Sequence, residues 1–284
     1  MKNLKIHIIP IMLLMGISTN SNAQYTIEPM IRASSIVIQS TIGMGSGFFL
    51  QDTVTGYLYI ATAAHVLITN TDKPQITDSI TVTGYRENVD LDSTYKFKIS
   101  ITDCLKSGNL LIDQKNDILI IRFAKLLNMG TYQALQYPTF VTKLTKETKI
   151  ESWPIFMSIS IEEIIPGSDL FVIGFPQSLG LQGNFDMNRP LMRKGIVAGK
   201  DLKLNRIIGD GAVYFGNSGG IAVAIHLKDN KFETRLAGLV SQYIPFDESL
   251  FDRRGIQRSI DYRNSGYSVI IPSNSILELI KRFR

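Results

Sequence analysis

The chain has 284 residues, of which 44% are hydrophobic and 19% charged, a composition that excludes a disordered or collagen-like chain and fits an ordinary globular protein. Its formal charge of +5 falls to +3 once residues 1–23 are set aside, and no dense Lys/Arg run remains, which argues against nucleic acid as a partner. Cys104 is the only cysteine, so no intramolecular disulfide can form and the fold must rest on its core.

The first segment carries Lys2 and Lys5, then a largely apolar run from Ile6 to Ile17, then Ser21-Asn22-Ala23 as a small-residue cleavage site before Gln24. That is the pattern of a secretory signal peptide, so residues 1–23 are expected to be removed from an exported, periplasmic or secreted, protein. The apolar run is short for a stable bilayer span, and no membrane anchor is expected after cleavage.

Strand-like runs dominate the rest: Ser35–Gln39, Gly45–Leu50, Tyr57–Thr62, Ile80–Thr83, Ile118–Phe123, Asp169–Ile173, Gly195–Gly199, Gly219–Ile225 and Glu233–Ser241. They are short, rich in Val, Ile, Phe and Thr, and separated by Gly, Asn, Asp and Pro, which argues an all-β sandwich or barrel. No fixed-period repeat is evident, which argues against a propeller or solenoid. The charged, Thr-rich residues 141–160 read either as a connection between two halves, 24–150 and 151–284, or as a solvated loop within one domain. Near the C-terminus, Ser275 with Glu278 forms a capping-box pattern, and Ile276, Leu279, Ile280 and Phe283 share one helical face. A short terminal helix is expected to pack on the β-core.

Two motifs carry chemistry. His65 closes the apolar run Tyr59-Ile60-Ala61-Thr62-Ala63-Ala64, and Ser218 sits among glycines in Gly216-Asn217-Ser218-Gly219-Gly220. A serine hydroxyl is a weak nucleophile unless a base takes its proton, and a neutral histidine is that base near pH 7. Asp117, in Asn116-Asp117-Ile118, would hold the second ring nitrogen, with Asp113 as its rival for the role. The backbone N–H groups of Gly216 and Ser218 would form an oxyanion hole. Each residue also has a plain reading: a turn serine, a packed histidine, a turn-to-strand aspartate. Their order along the chain, His, Asp, Ser, is that of the chymotrypsin-like double barrels. His226 reads as structural, as does Cys104. No cluster at ligand spacing indicates a metal, and the chemistry calls for no cofactor.

The chain resembles the trypsin-like serine proteases, and most closely the bacterial HtrA (Deg-type) protease domain. The resemblance rests on Gly45-Ser46-Gly47-Phe48-Phe49, Thr62-Ala63-Ala64-His65-Val66, Asn116-Asp117-Ile118, Gly174-Phe175-Pro176, Gly195-Ile196-Val197, Asp210-Gly211-Ala212 leading to Gly216–Gly220, and Ile271-Pro272-Ser273-Asn274. It implies two six-stranded antiparallel β-barrels with a short C-terminal helix, a triad of His65, Asp117 and Ser218 between them, and peptide or protein substrates. It also implies substrate-binding roles for Ala212 at a pocket floor and for Ser241 and Tyr243 on a wall, with Tyr214 and Phe215 either lining that pocket or packed as loop aromatics. An uncharged floor favours an apolar side chain before the cut. No PDZ domain is expected in this chain, and Asn217 replaces the aspartate that trypsin-type zymogens pair with a new N-terminus. No segment indicates a homo-oligomer. The alternative is a secreted binding or scaffold protein that keeps the barrels and does not turn over.

Overall fold

A computed structural model describes residues 29–69, 73–85, 94–127, 134–144, 150–177 and 183–283. The signal-peptide segment 1–23 lies outside the described residues, as do residues 145–149 of the charged stretch. The first half contains β1 (Ser35–Ser40), β2 (Gly43–Gln51), β3 (Tyr57–Thr62), β4 (Ser79–Tyr85), β5 (Thr94–Ser100), β6 (Leu110–Asp113), β7 (Ile118–Leu126), β8 (Leu135–Gln136), β9 (Val141–Lys143) and β10 (Trp153–Pro154). They form one sheet in the order β6-β7-β3-β2-β1-β4-β5-β9, with β10 on β2 and β8 on β7. Six of these strands are long (β1 to β5 and β7), and β6, β8, β9 and β10 are short additions.

What rolls this sheet up is aromatic packing between strands far apart on its path. Phe97 of β5 meets Phe123 of β7 edge to face at 6.1 Å between ring centroids, and Tyr137 touches both rings, at 5.6 and 6.3 Å. Such aromatic contacts add to the burial of two large apolar side chains. In β5 the residues Tyr95, Phe97 and Ile99 are buried while Lys96 and Lys98 are exposed, so one face of the strand turns inward.

The second half contains β11 (Asp169–Gly174), β12 (Leu191–Asp201), β13 (Arg206–Asp210), β14 (Ile221–Lys228), β15 (Lys231–Phe251) and β16 (Gln257–Pro272). These close into a six-stranded barrel, β11-β12-β13-β16-β15-β14. Its interior is filled by Leu170, Val172, Val197, Ile207, Ala222, Ala224, Val240 and Ile270. The architecture is thus the chymotrypsin-like double barrel implied by the resemblance. Trp153 and Pro154 still pair with β2, whereas Ser158 bridges Leu236, so the chain passes between the halves over Ile155–Met157.

Among the described residues three α-helices complete the fold: α1 (Pro29–Ser34), α2 (Ile101–Lys106) and α3 (Ser273–Ile280). The terminal helix forms as expected but starts two residues before the capping-box serine. Pro272 is its extended N-cap, with no side-chain cap. Ser275 lies inside the helix, where its Oγ accepts from Asn205 Nδ2 at 2.6 Å, so its hydroxyl is engaged elsewhere. Likewise β14 begins at Ile221 and not at Gly219, because Gly219 stands in a turn with φ +83°.

Candidate active site

His65 stands in a 3-10 turn, Ala64–Val66, directly after β3. Asp117 ends the turn before β7 with φ +58°, a left-handed conformation that Asp tolerates better than most residues. That turn is set by Asp113, whose carboxylate accepts from Asn116 N at 3.1 Å and from Asn116 Nδ2 at 2.7 Å. Asp113 therefore caps the turn, and Asp117 is the carboxylate that meets the histidine.

The Asp117 carboxylate accepts from His65 N at 3.0 Å and faces His65 Nδ1 at 2.9 and 3.1 Å. Ser241 Oγ donates to Asp117 Oδ2 at 2.6 Å. An ionised carboxylate only accepts, so Nδ1 carries a proton and the neutral ring leaves Nε2 as the acceptor. The imidazole is 44% exposed, open to a cleft of about 700 Å³.

Ser218 faces the same cleft from the second barrel. Its Oγ donates to the Ser241 carbonyl at 3.0 Å, and it makes no hydrogen bond with His65 among the described residues. Proton transfer to His65 would thus first require the hydroxyl to leave that carbonyl, a rotation between staggered side-chain positions. The backbone around it is tightly moulded. Gly216 has φ +97°, and a Cβ on it would overlap the Phe175 carbonyl oxygen. The Phe215 carbonyl accepts from Gln177 N at 2.8 Å. In a trans peptide the next N–H points the opposite way, so Gly216 N–H is turned from Gln177. Among the described residues neither Gly216 N–H nor Ser218 N–H has an acceptor.

Ser46 of β2 holds this turn from the other barrel. Fully buried, it donates from Oγ to Gly216 O at 2.6 Å and accepts there from Phe175 N at 2.9 Å. Its own N–H donates to Ser218 O at 2.9 Å. A second tie comes from Arg206 of β13, which donates to Asn116 Oδ1 at 3.1 Å and to Lys115 O at 3.3 Å, steadying the turn before Asp117. Sequence reasoning missed both roles. The one available signal was a small polar residue between Gly45 and Gly47 in an apolar strand, where another backbone comes close.

The structure brings His65, Asp117, Ser218, Ser241 and Tyr243 to one cleft, whose other lining includes Val213, Val240 and Val269. Tyr214 and Phe215 line it too, and Phe215 meets Tyr243 edge to face at 5.9 Å. Ala212 is elsewhere: it borders a separate small cavity with Arg193, whose Nη1 donates to its carbonyl at 3.3 Å. The Arg193 guanidinium lies 4.8 Å from the Tyr214 ring centroid. Asn217 is buried, and an uncharged amide there spares the cost of a buried carboxylate. His226 lines an apolar cavity with Phe232 and Ile159, apart from the cleft. Cys104 is buried and its thiol is pushed up to about 12 by desolvation. Among the described residues no three His, Cys, Asp or Glu side chains cluster as metal ligands would.

No protein-family model matches this chain, and no curated protein matches it. Among solved structures it is similar to the HtrA-type protease AlgW with a tripeptide, at 17% identity and a TM-score of 0.46, over 89% of this chain and 60% of that one. It is similar to the Rv3671c protease in its inactive form, at 14% identity and a TM-score of 0.44, over 90% of this chain and 93% of that one. It is also similar to HBP, at 14% identity and a TM-score of 0.46, over 90% of this chain and 93% of that one. The chain thus spans 60% of the length of the AlgW structure.

Proposed function

We propose that this chain is an exported serine endopeptidase of trypsin-like, HtrA-resembling type. The observation that carries the reading is the meeting of a carboxylate-held His65 with a glycine-flanked Ser218 in one cleft, beside two unpartnered backbone N–H groups. Ser218 Oγ attacks the scissile carbonyl as His65 Nε2 takes its proton. The developing oxyanion is received by Gly216 N–H and Ser218 N–H, and Asp117 stabilises the imidazolium. The imidazolium then gives its proton to the leaving amine, and water repeats the sequence on the acyl-enzyme. The Val213, Val240, Val269 and Tyr243 lining supports an apolar side chain before the cut. The leader-like pattern of residues 1–23 supports export.

One observation favours the second reading, a conditionally silent barrel protein: Ser218 Oγ rests on the Ser241 carbonyl and not on His65. A fluorophosphonate probe separates the two. The folded chain should label, and Ser218→Ala and His65→Ala should not. Folded wild-type protein that stays unlabelled would end the enzyme reading and leave the silent one.

A further inference from the structure

Among the described residues the cleft has one permanent cation. Arg206, the first residue of β13, is half-buried and lines the cleft together with Gln114 and Asp117. Four uncharged oxygens hold its guanidinium. Nη1 donates to Asn116 Oδ1 at 3.1 Å, Leu204 O at 3.2 Å and Asn205 O at 2.9 Å, and Nη2 donates to Lys115 O at 3.3 Å. Arg235, Arg258 and Arg263 each meet a carboxylate, whereas Arg206 forms no ion pair among the described residues. Asp201 is its partner across the β12–β13 ladder, but Oδ1 of Asp201 accepts from Lys203 N and Leu204 N and closes the hairpin turn. Asp117 is engaged by His65 N–H, His65 Nδ1 and Ser241 Oγ.

A guanidinium carries five N–H groups in one plane. Nη1 and one Nη2 hydrogen serve the four oxygens, so Nε–H and the second Nη2 hydrogen have no acceptor among the described residues. Nε and Nη2 form the edge of the fork that suits a carboxylate. Arg258 uses that edge on Asp252, through Nε at 2.9 Å and Nη2 at 2.6 Å.

The sheet gives the distance from the nucleophile. Ile208 of β13 pairs with Val269 of β16, which pairs with Gln242 of β15. At about 4.8 Å per strand, β13 lies roughly 10 Å from β15, where the Ser241 carbonyl holds Ser218 Oγ. That span equals about three residues of extended peptide. His65 gives the side. Arg206 ties down Lys115 and Asn116, next to the Asp117 that faces Nδ1, whereas the leaving amine takes its proton from Nε2 across the ring. Arg206 therefore stands on the acyl side of the scissile bond.

We infer that Arg206 is a specificity-determining residue: its free edge receives the carboxylate of an Asp or Glu side chain about two to four residues N-terminal to the cut. The inference rests on the endopeptidase reading and deepens it, naming the substrate as an acidic segment that ends in an apolar residue at the cut. Because the four oxygens fix the guanidinium beforehand, little side-chain freedom is lost when the carboxylate arrives.

The test is a set of peptides sharing one cleavable sequence, with Glu or Gln placed in turn at each position on both sides of the cut. For the full chain, Glu should raise kcat/KM roughly tenfold over Gln at one position on the N-terminal side, chiefly through KM, and the ratio should shrink as salt is added. Arg206→Gln should bring that ratio to about one, and Arg206→Glu should favour Lys over Gln at the same position. Arg206 also steadies the turn before Asp117, so both variants lose absolute rate and only the ratio within each protein is read. Where a variant fails to fold, the wild-type scan and its salt dependence decide. A wild-type ratio near one at every position overturns the inference and leaves the endopeptidase reading intact. A Glu preference that survives Arg206→Gln, or that falls only after the cut, does the same. No cleavage of any peptide by folded protein overturns the endopeptidase reading and this inference with it.

Discussion

Ser46→Ala offers a severe trial of the proposed chemistry, because the residue touches neither His65 nor the cleft. Removing its Oγ deletes two buried bonds, to Gly216 O at 2.6 Å and from Phe175 N at 2.9 Å. Each buried group left unpaired costs about 1–3 kcal/mol, so the change costs about 2–6 kcal/mol in total. For a chain of this size, at about 2 °C per kcal/mol, that corresponds to a fall in Tm of about 4–12 °C. The local consequence is sharper. Gly216 is free of Cβ restraint at φ +97°, and once its carbonyl is released rotation about its own φ and ψ can swing Gly216 N–H out of its place in the turn. Losing one oxyanion donor costs about 10²–10³ in kcat. We therefore expect kcat on a peptide substrate to fall about a hundredfold with KM within about threefold. The control is Ser273→Ala, which loses an equally buried bond, Oγ to Ile159 O at 2.6 Å, on the far helix. With one such bond lost instead of two, it should lose about half as much stability and keep its kcat. If Ser46→Ala kept its kcat as the control does, the argument that Ser46 sets the oxyanion turn would be refuted.

Gly216→Ala forces a Cβ onto the Phe175 carbonyl oxygen and puts an L-residue at φ +97°, so fluorophosphonate labelling should vanish along with several degrees of Tm; labelling at the wild-type rate would contradict the assigned turn geometry. Cys104, with its thiol pushed from an ordinary 9.0 up to about 12, should resist disulfide reagents until the protein unfolds. The sign of its pH effect follows: the unfolded thiol ionises near 9 and the folded one resists, so its contribution is complete below pH 9 and is lost between pH 9 and 12. Thermal unfolding across that range should therefore fall more steeply for wild type than for Cys104→Ala, and parallel curves would count against the burial argument.

How much of this was legible depended on how local the cause is. Strands β3, β7, β11 and β14 announce themselves because their apolar runs are continuous and bounded by turn residues. β5 carries a clean alternation, Tyr95-Lys96-Phe97-Lys98-Ile99, yet stands apart from the chemical motifs and was not among the expected strands. The outer part of the β15–β16 hairpin gives no period-two signal, because both its faces are exposed and neither needs to be apolar. In the cleft, residue type and order pointed to His65 and Ser218 as candidates and left two aspartates for the third place. The choice of Asp117 over Asp113 needed coordinates, since both carboxylates bracket the same turn. Ser46 was beyond reach: its two Oγ partners lie 129 and 170 residues away along the chain. Ala212 shows the converse, a position transferred by resemblance that borders a different cavity once Arg193 bonds its carbonyl.

Among the described residues, six polar bonds that cross between the barrels converge on one place. Ser46 reaches Gly216, Phe175 and Ser218; Ser241 reaches Asp117; Arg206 reaches Asn116 and Lys115. Away from this centre the halves also meet through ring contacts, such as Tyr85 stacked on Phe175 at 5.8 Å and Arg122 over the Phe283 ring at 5.1 Å. Apolar burial drives association but tolerates sliding, because it is non-directional. Buried hydrogen bonds do not tolerate it, since each broken one leaves an unpaired group. Docking the barrels in this register therefore also assembles the cleft, and Ser241 takes part in both. Its hydroxyl fixes Asp117 while its carbonyl holds Ser218 Oγ at rest. On the proposed mechanism a substrate N–H arriving at that carbonyl competes with the Ser218 hydroxyl, so seating the peptide strand also frees the nucleophile to turn toward His65.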